Sequence, residues 1–314
     1  MYHCYDSGSC VRLIIKKYKR RVAENAMRFV CMGENGMINL LLAIASSSLV
    51  SIVMRTSEKC TKGNHGMIAV NYVICVIMAA FYTGFGNLFP KTEGIGFTLG
   101  LGGVTGVIYL VGLLLVKLNI QKNGVVLTSI FQKLGLLVQL LISIVFFKEQ
   151  PEVIQIVGIV LCLIAVIMIN FEKGQTAIGF KLGLFLILLN SGLCDGMSKV
   201  HEELGNPALA EHFLFYTFGV ALILCVVMIL GKKESFGWKD IGFGILLGVP
   251  NYFSASFLLK ALNNLAAVIV FPTFSVATVV VISMTGLLVF KEKLSKKQWI
   301  SMGFILIALV LLNV

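Results

Sequence analysis

Two ionisable residues lie deep inside apolar stretches of this chain, where a charge is costly unless it meets a partner or water. Lys133 falls near the middle of the segment 123–147, and Asp195 lies in the segment 178–198. A fixed ammonium group in a central cavity would attract an anionic or carboxylate-bearing ligand. A desolvated carboxylate can bind and release a proton near working pH, so Asp195 is a candidate for proton coupling.

Both residues also have structural interpretations, which the sequence leaves open. Lys133 could pair with Asp195 or with backbone carbonyls. If the helix boundary is not where the sequence predicts it, Lys133 could instead lie near a helix end and extend its ammonium group to the membrane surface. Asp195 stands one helical turn before Lys199, close enough for a salt bridge along one helix face.

Further polar side chains inside apolar segments are candidates for contacts with a small-molecule substrate. Each is also explained by an ordinary hydrogen bond between packed helices. Together with Lys133, the predicted substrate-binding residues are Tyr109, Gln132, Asn190, Asn251, Tyr252 and Ser275.

The elements that would carry these residues are membrane spans. Of the 314 residues, 58% are hydrophobic and 13% are charged, and the mean hydropathy is +0.93. A soluble domain carries roughly 25% charged residues, so this composition excludes most soluble enzymes. A helix needs about 20 apolar residues to cross a bilayer. The sequence predicts ten such spans, near 38–55, 67–88, 95–116, 123–147, 152–170, 178–198, 208–230, 239–259, 265–290 and 297–314.

The chain does not indicate a site for a metal, a cofactor or nucleic acid. Its net charge is +11, but Lys and Arg lie at segment ends, where they contact lipid headgroups. The eight cysteines form no CxxC pair, and the four histidines do not cluster at metal-ligand spacing. The sequence contains none of the motifs of serine hydrolases, zinc proteases or Walker-type phosphate loops. We therefore expect no cofactor and no enzymatic activity.

The first 36 residues differ from the rest because they are basic and hold no stretch that can span a membrane. We interpret residues 1–36 as a basic N-terminal extension, either a disordered lead-in or the result of a misassigned start, with Met37 as the alternative. A cleaved signal peptide is not favoured, since no small-residue cleavage site precedes mature soluble sequence.

The clearest pattern in the chain is an internal repeat with an offset of 143 residues. The tripeptide Phe-Lys-Glu at 147–149 returns at 290–292. Each repeat holds five predicted spans, so the second must enter the membrane from the opposite side, as an inverted repeat. Two like halves that rock about a site between them indicate a transporter. The predicted units are a first repeat at 37–171, a linker at 172–178 and a second repeat at 179–314.

The join between the fourth and fifth spans of each repeat resembles the drug/metabolite transporter superfamily, specifically its ten-helix EamA-type members. In that family an aromatic and an acidic residue end one helix, and a Gln and a Gly follow in the next. Pro272 matches the proline typical of the fourth helix, whereas Ser129 stands at the aligned place in the first repeat. The matching residues here are Phe147, Glu149, Gln155 and Gly158, then Phe290, Glu292, Gln298 and Gly303.

The resemblance implies a ten-helix secondary transporter of a bacterial plasma membrane, with a cavity walled by the first, third, fourth, sixth, eighth and ninth helices. We expect proton-coupled export of a small polar metabolite, such as an amino acid, by a monomer or homodimer that works by alternating access. One alternative is a carrier for a phosphorylated or lipid-linked substrate, which Lys133 would favour. The other is a non-transporting membrane protein, either a scaffold or an intramembrane enzyme.

The sequence leaves the orientation in the membrane open. Fourteen Lys and Arg residues lie in or beside the odd-numbered turns and four in or beside the even-numbered turns. By the positive-inside rule this difference puts both termini outside. The seven basic residues of 1–36 favour the opposite orientation, with the N-terminus inside. The family resemblance likewise implies that both termini are cytoplasmic.

Overall fold

The computed structural model is mostly α-helical, with short turns between the helices. It describes residues 35–54, 56–57, 64–170, 181–232, 237–288 and 296–312. These ranges contain no β-strand, which confirms the predicted all-α fold. A π-helical turn at Ile142–Phe146 extends the fourth helix, and a 3-10 turn at Pro207–Leu209 precedes the seventh. In chain order the α-helices of these ranges are α1 (Asn35–Met54), α2 (Asn64–Thr83), α3 (Ile95–Leu134), α4 (Leu136–Leu141), α5 (Val153–Asn170), α6 (Lys181–Leu204), α7 (Ala210–Lys232), α8 (Trp238–Leu262), α9 (Ala267–Leu288) and α10 (Lys296–Leu312).

Several helices are long and apolar enough to cross a membrane. In the described part of the chain five segments meet the length and hydropathy of a full span, and three shorter apolar helices accompany them. Large apolar side chains such as Val227 and Leu230 are exposed on the outside of the bundle, where lipid would cover them. The five full-length segments are Asn35–Met54, Gly66–Thr83, Ile95–Val116, Pro207–Gly231 and Trp238–Leu262.

The third and fourth predicted spans are joined without a break in helical structure, because α3 continues over 40 residues. Its path nevertheless doubles back. Gly112 and Gln132 both contact residues 190–191 of α6, whereas a straight helix would hold them about 30 Å apart. Between them, Asn119 donates to the carbonyl of Gly183, near the start of α6, at 2.9 Å. The chain therefore runs out and back along α6, as two separate spans would.

One end of the bundle gathers the starts of α1, α7 and α9 with the ends of α6 and α8. Gly36 packs against Leu265, which lies between α8 and α9. The Lys260 ammonium of α8 lies 3.1 Å from the Glu211 carboxylate of α7. We call this the 205–209 end, after the turn between α6 and α7. Because α1 starts here and α6 finishes here, the first helices of the two predicted repeats run in opposite directions.

Glycines set the close approach of two helix pairs. In the sequence, glycines stand four residues apart at 102 and 106 in the third predicted span and at 244 and 248 in the eighth, a spacing that predicts close packing of membrane helices. A Cβ at Gly106 of α3 would lie 2.6 Å from a carbonyl oxygen of α7. A Cβ at Gly248 of α8 would lie 2.6 Å from Cβ of Ile74 and 2.9 Å from the carbonyl oxygen of Asn71, both in α2. Neither position has room for a side chain, so both helix contacts require glycine there.

Two apolar clusters fix the remaining helices. Phe271 of α9 is fully buried in a cluster that also draws on α1, α4, α5, α8 and α10. Phe218 of α7 is fully buried in a second cluster with side chains of α2 and α8. Both clusters pack helices closely against one another, as membrane helices associate when lipid is as apolar as their side chains.

Some predictions fall on parts of the chain outside the described residues. They are the extension at 1–36, of which the structure covers only the last two residues, the linker at 172–178, and the second Phe-Lys-Glu tripeptide at 290–292.

Candidate functional site

A cavity of about 620 Å³ lies among α1, α2, α3, α4, α6, α8 and α9. Asp195 is the one acidic or basic side chain, Asp, Glu, Lys, Arg or His, among the described residues that line it. The other polar side chains of the wall are neutral: Ser47, Ser51, Asn71, Tyr72, Tyr109, Gln132, Gln139, Asn190, Ser191, Ser198, Asn251, Ser254 and Ser275.

The cavity is displaced towards the end of the bundle opposite the 205–209 end. Helix α1 starts at the 205–209 end, yet its lining residues lie at 47–54, in its second half. Helix α9 also starts there, and its lining residues begin at Phe274, two turns inside. Gln132 lines the cavity and is also exposed at the surface of the protein. The cavity is therefore open to the outside of the bundle beside Gln132.

The structure brings most of the sequence-predicted residues together in this one cavity. Lys133 lies in α3, but its side chain is outside the described part of the structure. Tyr252 is fully buried and is not part of the cavity wall. Substrate contact by each residue stays a prediction. The predicted residues that do line the cavity are Tyr109, Gln132, Asn190, Asp195, Asn251 and Ser275.

Asp195 is positioned by an amide from a neighbouring helix. Nε2 of Gln139 in α4 donates to Oδ2 of Asp195 at 2.8 Å. Gln139 is buried, and no described residue bonds to its Oε1. An amide nitrogen must face the carboxylate for this bond to form, so the carbonyl oxygen of Gln139 points away from Asp195. Sequence analysis missed Gln139, because a glutamine in an apolar segment carries no signal of its own beyond polarity.

Two amides from α2 and α8 meet on another side of the cavity. Nδ2 of Asn251 donates to Oδ1 of Asn71 at 3.2 Å, and both residues line the cavity. Behind them the buried thiol of Cys75 lies 3.7 Å from Nδ2 of Asn251 and 3.4 Å from the carbonyl oxygen of Gly248. Asn71 is a second residue that sequence analysis missed. Its signal was an isolated asparagine in the second predicted span.

An ion cluster lies one helical turn from Asp195, towards the 205–209 end. The buried Lys199 ammonium lies 3.0 Å from Glu149, 2.7 Å from Glu202 and 2.6 Å from Glu203. The salt bridge expected between Lys199 and Asp195 is not among these pairs. Since the neighbouring residue Ser198 lines the cavity, the cluster lies next to the cavity, on its side nearer the 205–209 end.

Glu149 connects this cluster to α9. Its carboxylate accepts hydrogen bonds from the backbone N–H groups of Ala267 and Val268, at 3.1 and 3.0 Å. These N–H groups begin α9 and have no partner within the helix, so a carboxylate there stabilises them and the helix dipole. Through Glu149, Lys199 of α6 is therefore tied to the start of α9.

Tyr252 belongs to a second polar cluster at the 205–209 end. Its hydroxyl donates to Glu211 Oε2 at 2.5 Å, and Ser256 donates to Glu211 Oε1 at 3.1 Å. The ring of Tyr82 stacks on the ring of Tyr252, with centroids 5.6 Å apart. These contacts hold the Tyr252 side chain in the packed 205–209 end and not in the cavity wall. Within the described ranges, no three His, Cys, Asp or Glu side chains are grouped as metal ligands would be.

Comparison with known proteins identifies the family. Residues 35–171 and 202–314 match the family model described as the EamA-like transporter family. The chain belongs to this family. This confirms the resemblance drawn from the joins at 147–158 and 290–303, and it makes the EamA-like chain a multi-pass membrane transporter rather than an enzyme.

Two similar proteins extend the comparison. The EamA-like chain is 28% identical, over 287 residues, to a protein of Haemophilus influenzae described as uncharacterized. The alignment covers 87% of this chain and 96% of that protein. A solved crystal structure matches with a TM-score of 0.62 at 12% identity and covers 88% of this chain and 98% of its own. At this identity the structural match shows the fold alone.

Proposed function

We propose that this EamA-like chain is a proton-coupled exporter that moves a small polar metabolite by alternating access. The observation that carries the proposal is the cavity, whose described wall combines many neutral hydrogen-bonding groups with a single carboxylate, Asp195. Such a wall binds a polar molecule through several weak, exchangeable contacts. A carrier needs this kind of binding, because its ligand must leave as well as enter.

Alternating access requires two states that expose the cavity to opposite sides. The cavity is displaced away from the 205–209 end, where the Lys199 and Glu211 clusters lie beneath it. The opposite directions of α1 and α6 support the proposed inverted relation of the two repeats. A rocking motion about the cavity would then open the 205–209 end and close the other.

Proton coupling is proposed for Asp195 because a carboxylate in the cavity wall can bind a proton in one state and release it in the other. The test is a proteoliposome assay with a pH-sensitive dye inside the vesicles. Addition of amino acids, nucleosides or carboxamides to vesicles holding the purified chain should change the internal pH for at least one compound. If no compound changes the internal pH while flux is seen, the transport is not proton-coupled.

Lys133 favours one alternative, a carrier for a phosphorylated or lipid-linked anion. A ligand that binds the folded state raises the melting temperature, Tm. Sugar phosphates and organic anions that raise Tm for the native chain, but not for Lys133→Met, would support this alternative. Ligand binding without any flux would favour a non-transporting scaffold.

The proposal places the chain in a bacterial plasma membrane, as a monomer or homodimer in the lipid bilayer. Neither nucleic acid nor a cofactor has a part in it.

A further inference from the structure

The amide pair of Asn71 and Asn251 exists because α2 and α8 are unusually close. Gly244 and Gly248 of α8 lie against the α2 backbone, where any side chain would collide. Gly248 and Asn251 are three residues apart, on neighbouring positions of one helix face. The close contact therefore brings the Asn251 amide within 3.2 Å of the Asn71 amide.

Each side-chain amide has one C=O group and one NH₂ group, so a single hydrogen bond between two amides uses two of their four groups. Nδ2 of Asn251 donates to Oδ1 of Asn71, so an NH₂ group remains on Asn71 and a C=O group remains on Asn251. If both amides were turned over, the donor and the acceptor would exchange places, but one of each would still remain. The pair therefore always presents one donor and one acceptor.

The remaining groups face the cavity. Asn71 is 4% exposed, and both asparagines are part of the cavity wall. The described residues provide no hydrogen bond to the second group of either amide. Cys75 and Gly248 fill the space behind the pair. Neither remaining group is among the buried side-chain atoms that lack a partner, so both are accessible from the cavity. Water can satisfy them before a ligand binds, and a ligand that offers the matching groups can replace that water.

We propose that Asn71 and Asn251 recognise an amide-type edge of the substrate, meaning a C=O and an N–H on adjacent atoms. A third amide completes a ring of hydrogen bonds, since its oxygen accepts from Asn71 and its nitrogen donates to Asn251. A carboxylate offers acceptors alone and repels the C=O of Asn251, and an ammonium group offers donors alone. The inference rests on the proposed transport function and names its substrate class.

Two kinds of metabolite carry this edge, primary carboxamides and the lactam edges of nucleobases. Matched probes separate them: nicotinamide against nicotinate, L-glutamine against L-glutamate, and uridine against 3-methyluridine, in which a methyl group replaces the N–H. A probe that binds the folded chain raises Tm, and at a fixed probe concentration the rise grows with the logarithm of the affinity. At least one amide-bearing member should raise Tm at millimolar concentration, and its matched partner should not.

Variants then assign the recognition to the pair. Asn71→Leu and Asn251→Leu should each weaken the binding of the amide probe about tenfold, because each removes one uncharged hydrogen bond. Asn263→Leu, at an exposed position beyond the end of α8, is the matched control and should leave the affinity unchanged. Asn71→Asp keeps the shape of the side chain while removing the donor, so it tests recognition even if the leucine variants fold poorly.

The proposal is overturned if no amide-bearing probe binds, if the carboxylate members bind equally well, or if Asn71→Asp retains the preference for the amide. Transport of another compound that is unaffected by Asn71→Asp would also refute it, while leaving the transport function intact. Conversely, amide binding without any flux would support the recognition site and refute the transport function.

Discussion

At the scale of single residues, Asp195 has the clearest assignment to test. It lines the cavity, accepts a hydrogen bond from Gln139 at 2.8 Å, and lies one turn from the buried Lys199 cluster. Its carboxylate thus lies between the cavity, where a substrate would bind, and the Lys199 cluster. A proton on Asp195 would change the charge of the cavity wall without any large movement.

We predict that Asp195→Asn abolishes transport driven by a pH gradient but leaves the exchange of substrate for substrate. Asparagine keeps the shape of the side chain and an oxygen that can accept the hydrogen bond from Gln139, yet it cannot bind and release a proton. The measurement is uptake into proteoliposomes with and without a pH gradient.

The matched control is Asp240→Asn, in the first turn of α8, where asparagine can still accept the hydrogen bond from the backbone N–H of Gly237. It should leave gradient-driven uptake unchanged. Undiminished gradient-driven uptake by Asp195→Asn would remove Asp195 from the coupling mechanism.

Sequence analysis found many of the polar residues of the cavity wall, because a polar group inside an apolar span must face protein or water. It could not tell which partner each one meets. Tyr252 matches Tyr109 in the repeat, but α7 places Glu211 beside its hydroxyl and takes it out of the cavity wall. Asn71 was missed because its role depends on the proximity of Asn251, which is 180 residues away.

At the scale of helices, the buried Lys199 holds the start of α9 to α6 through Glu149. Lys199→Met would leave three carboxylates close together without their shared cation. Removal of one partner of a buried ion pair typically costs about 3 kcal/mol of stability. We therefore predict a marked fall of Tm for this variant, measured by thermal unfolding in detergent.

Lys260→Met provides the comparison at the same end of the bundle. Lys260 pairs with Glu211 but is 43% exposed, and exposed pairs contribute about 0–1 kcal/mol. Its Tm should change little. If Lys199→Met lost no more stability than Lys260→Met, the stabilising role assigned to the buried Lys199 cluster would be contradicted.

The contact between α2 and α8 gives a second prediction at this scale. In Gly248→Ala the new Cβ would lie 2.6 Å from Cβ of Ile74, so the helices must separate. Overpacking of this kind typically costs about 1–3 kcal/mol. The variant should have a lower Tm and should lose the binding of amide-bearing probes, because the Asn71–Asn251 pair is pulled apart.

Gly242→Ala is the matched control, since no atom lies within 4 Å of the position of its Cβ. Alanine favours a helix over glycine by about 1 kcal/mol, so this variant should be as stable as the native chain or more so. A Gly248→Ala protein with native stability and native binding would contradict the role assigned to the close contact.

The helices themselves were largely predictable, because runs of about 20 apolar residues have few other structures open to them. The out-and-back path of α3 was also predicted, as two separate spans. The helical structure between those spans was not, because the sequence predicts a turn there. The small-residue spacing of Gly244 and Gly248 indicated a close helix contact, but the sequence did not show that the partner is α2.

At the scale of the whole molecule, described helices from both predicted repeats line the cavity. The repeat in the sequence predicted two halves with a site between them, and the family match is consistent with that architecture. The direction of transport and the orientation in the membrane stay open, because the charges of the turns and those of residues 1–36 oppose each other. The substrate could not be predicted either, since its recognition depends on side chains that only the fold brings together.

Efflux of a metabolite mixture tests the central claim most directly. Proteoliposomes loaded with amino acids, nucleosides, carboxamides and sugar phosphates are prepared with the native chain, with Ser254→Trp and with Leu246→Trp. Ser254 lines the cavity, so tryptophan there should block it, whereas Leu246 is exposed on the outside of α8 and serves as the control. Mass spectrometry then identifies the compounds that leave the vesicles.

We predict that at least one small polar metabolite with an amide-type edge leaves the native and Leu246→Trp vesicles faster than it leaves protein-free vesicles, and that Ser254→Trp stops this flux. If no compound leaves the native vesicles faster than it leaves protein-free vesicles, or if Ser254→Trp leaves the flux unchanged, transport through this cavity is contradicted.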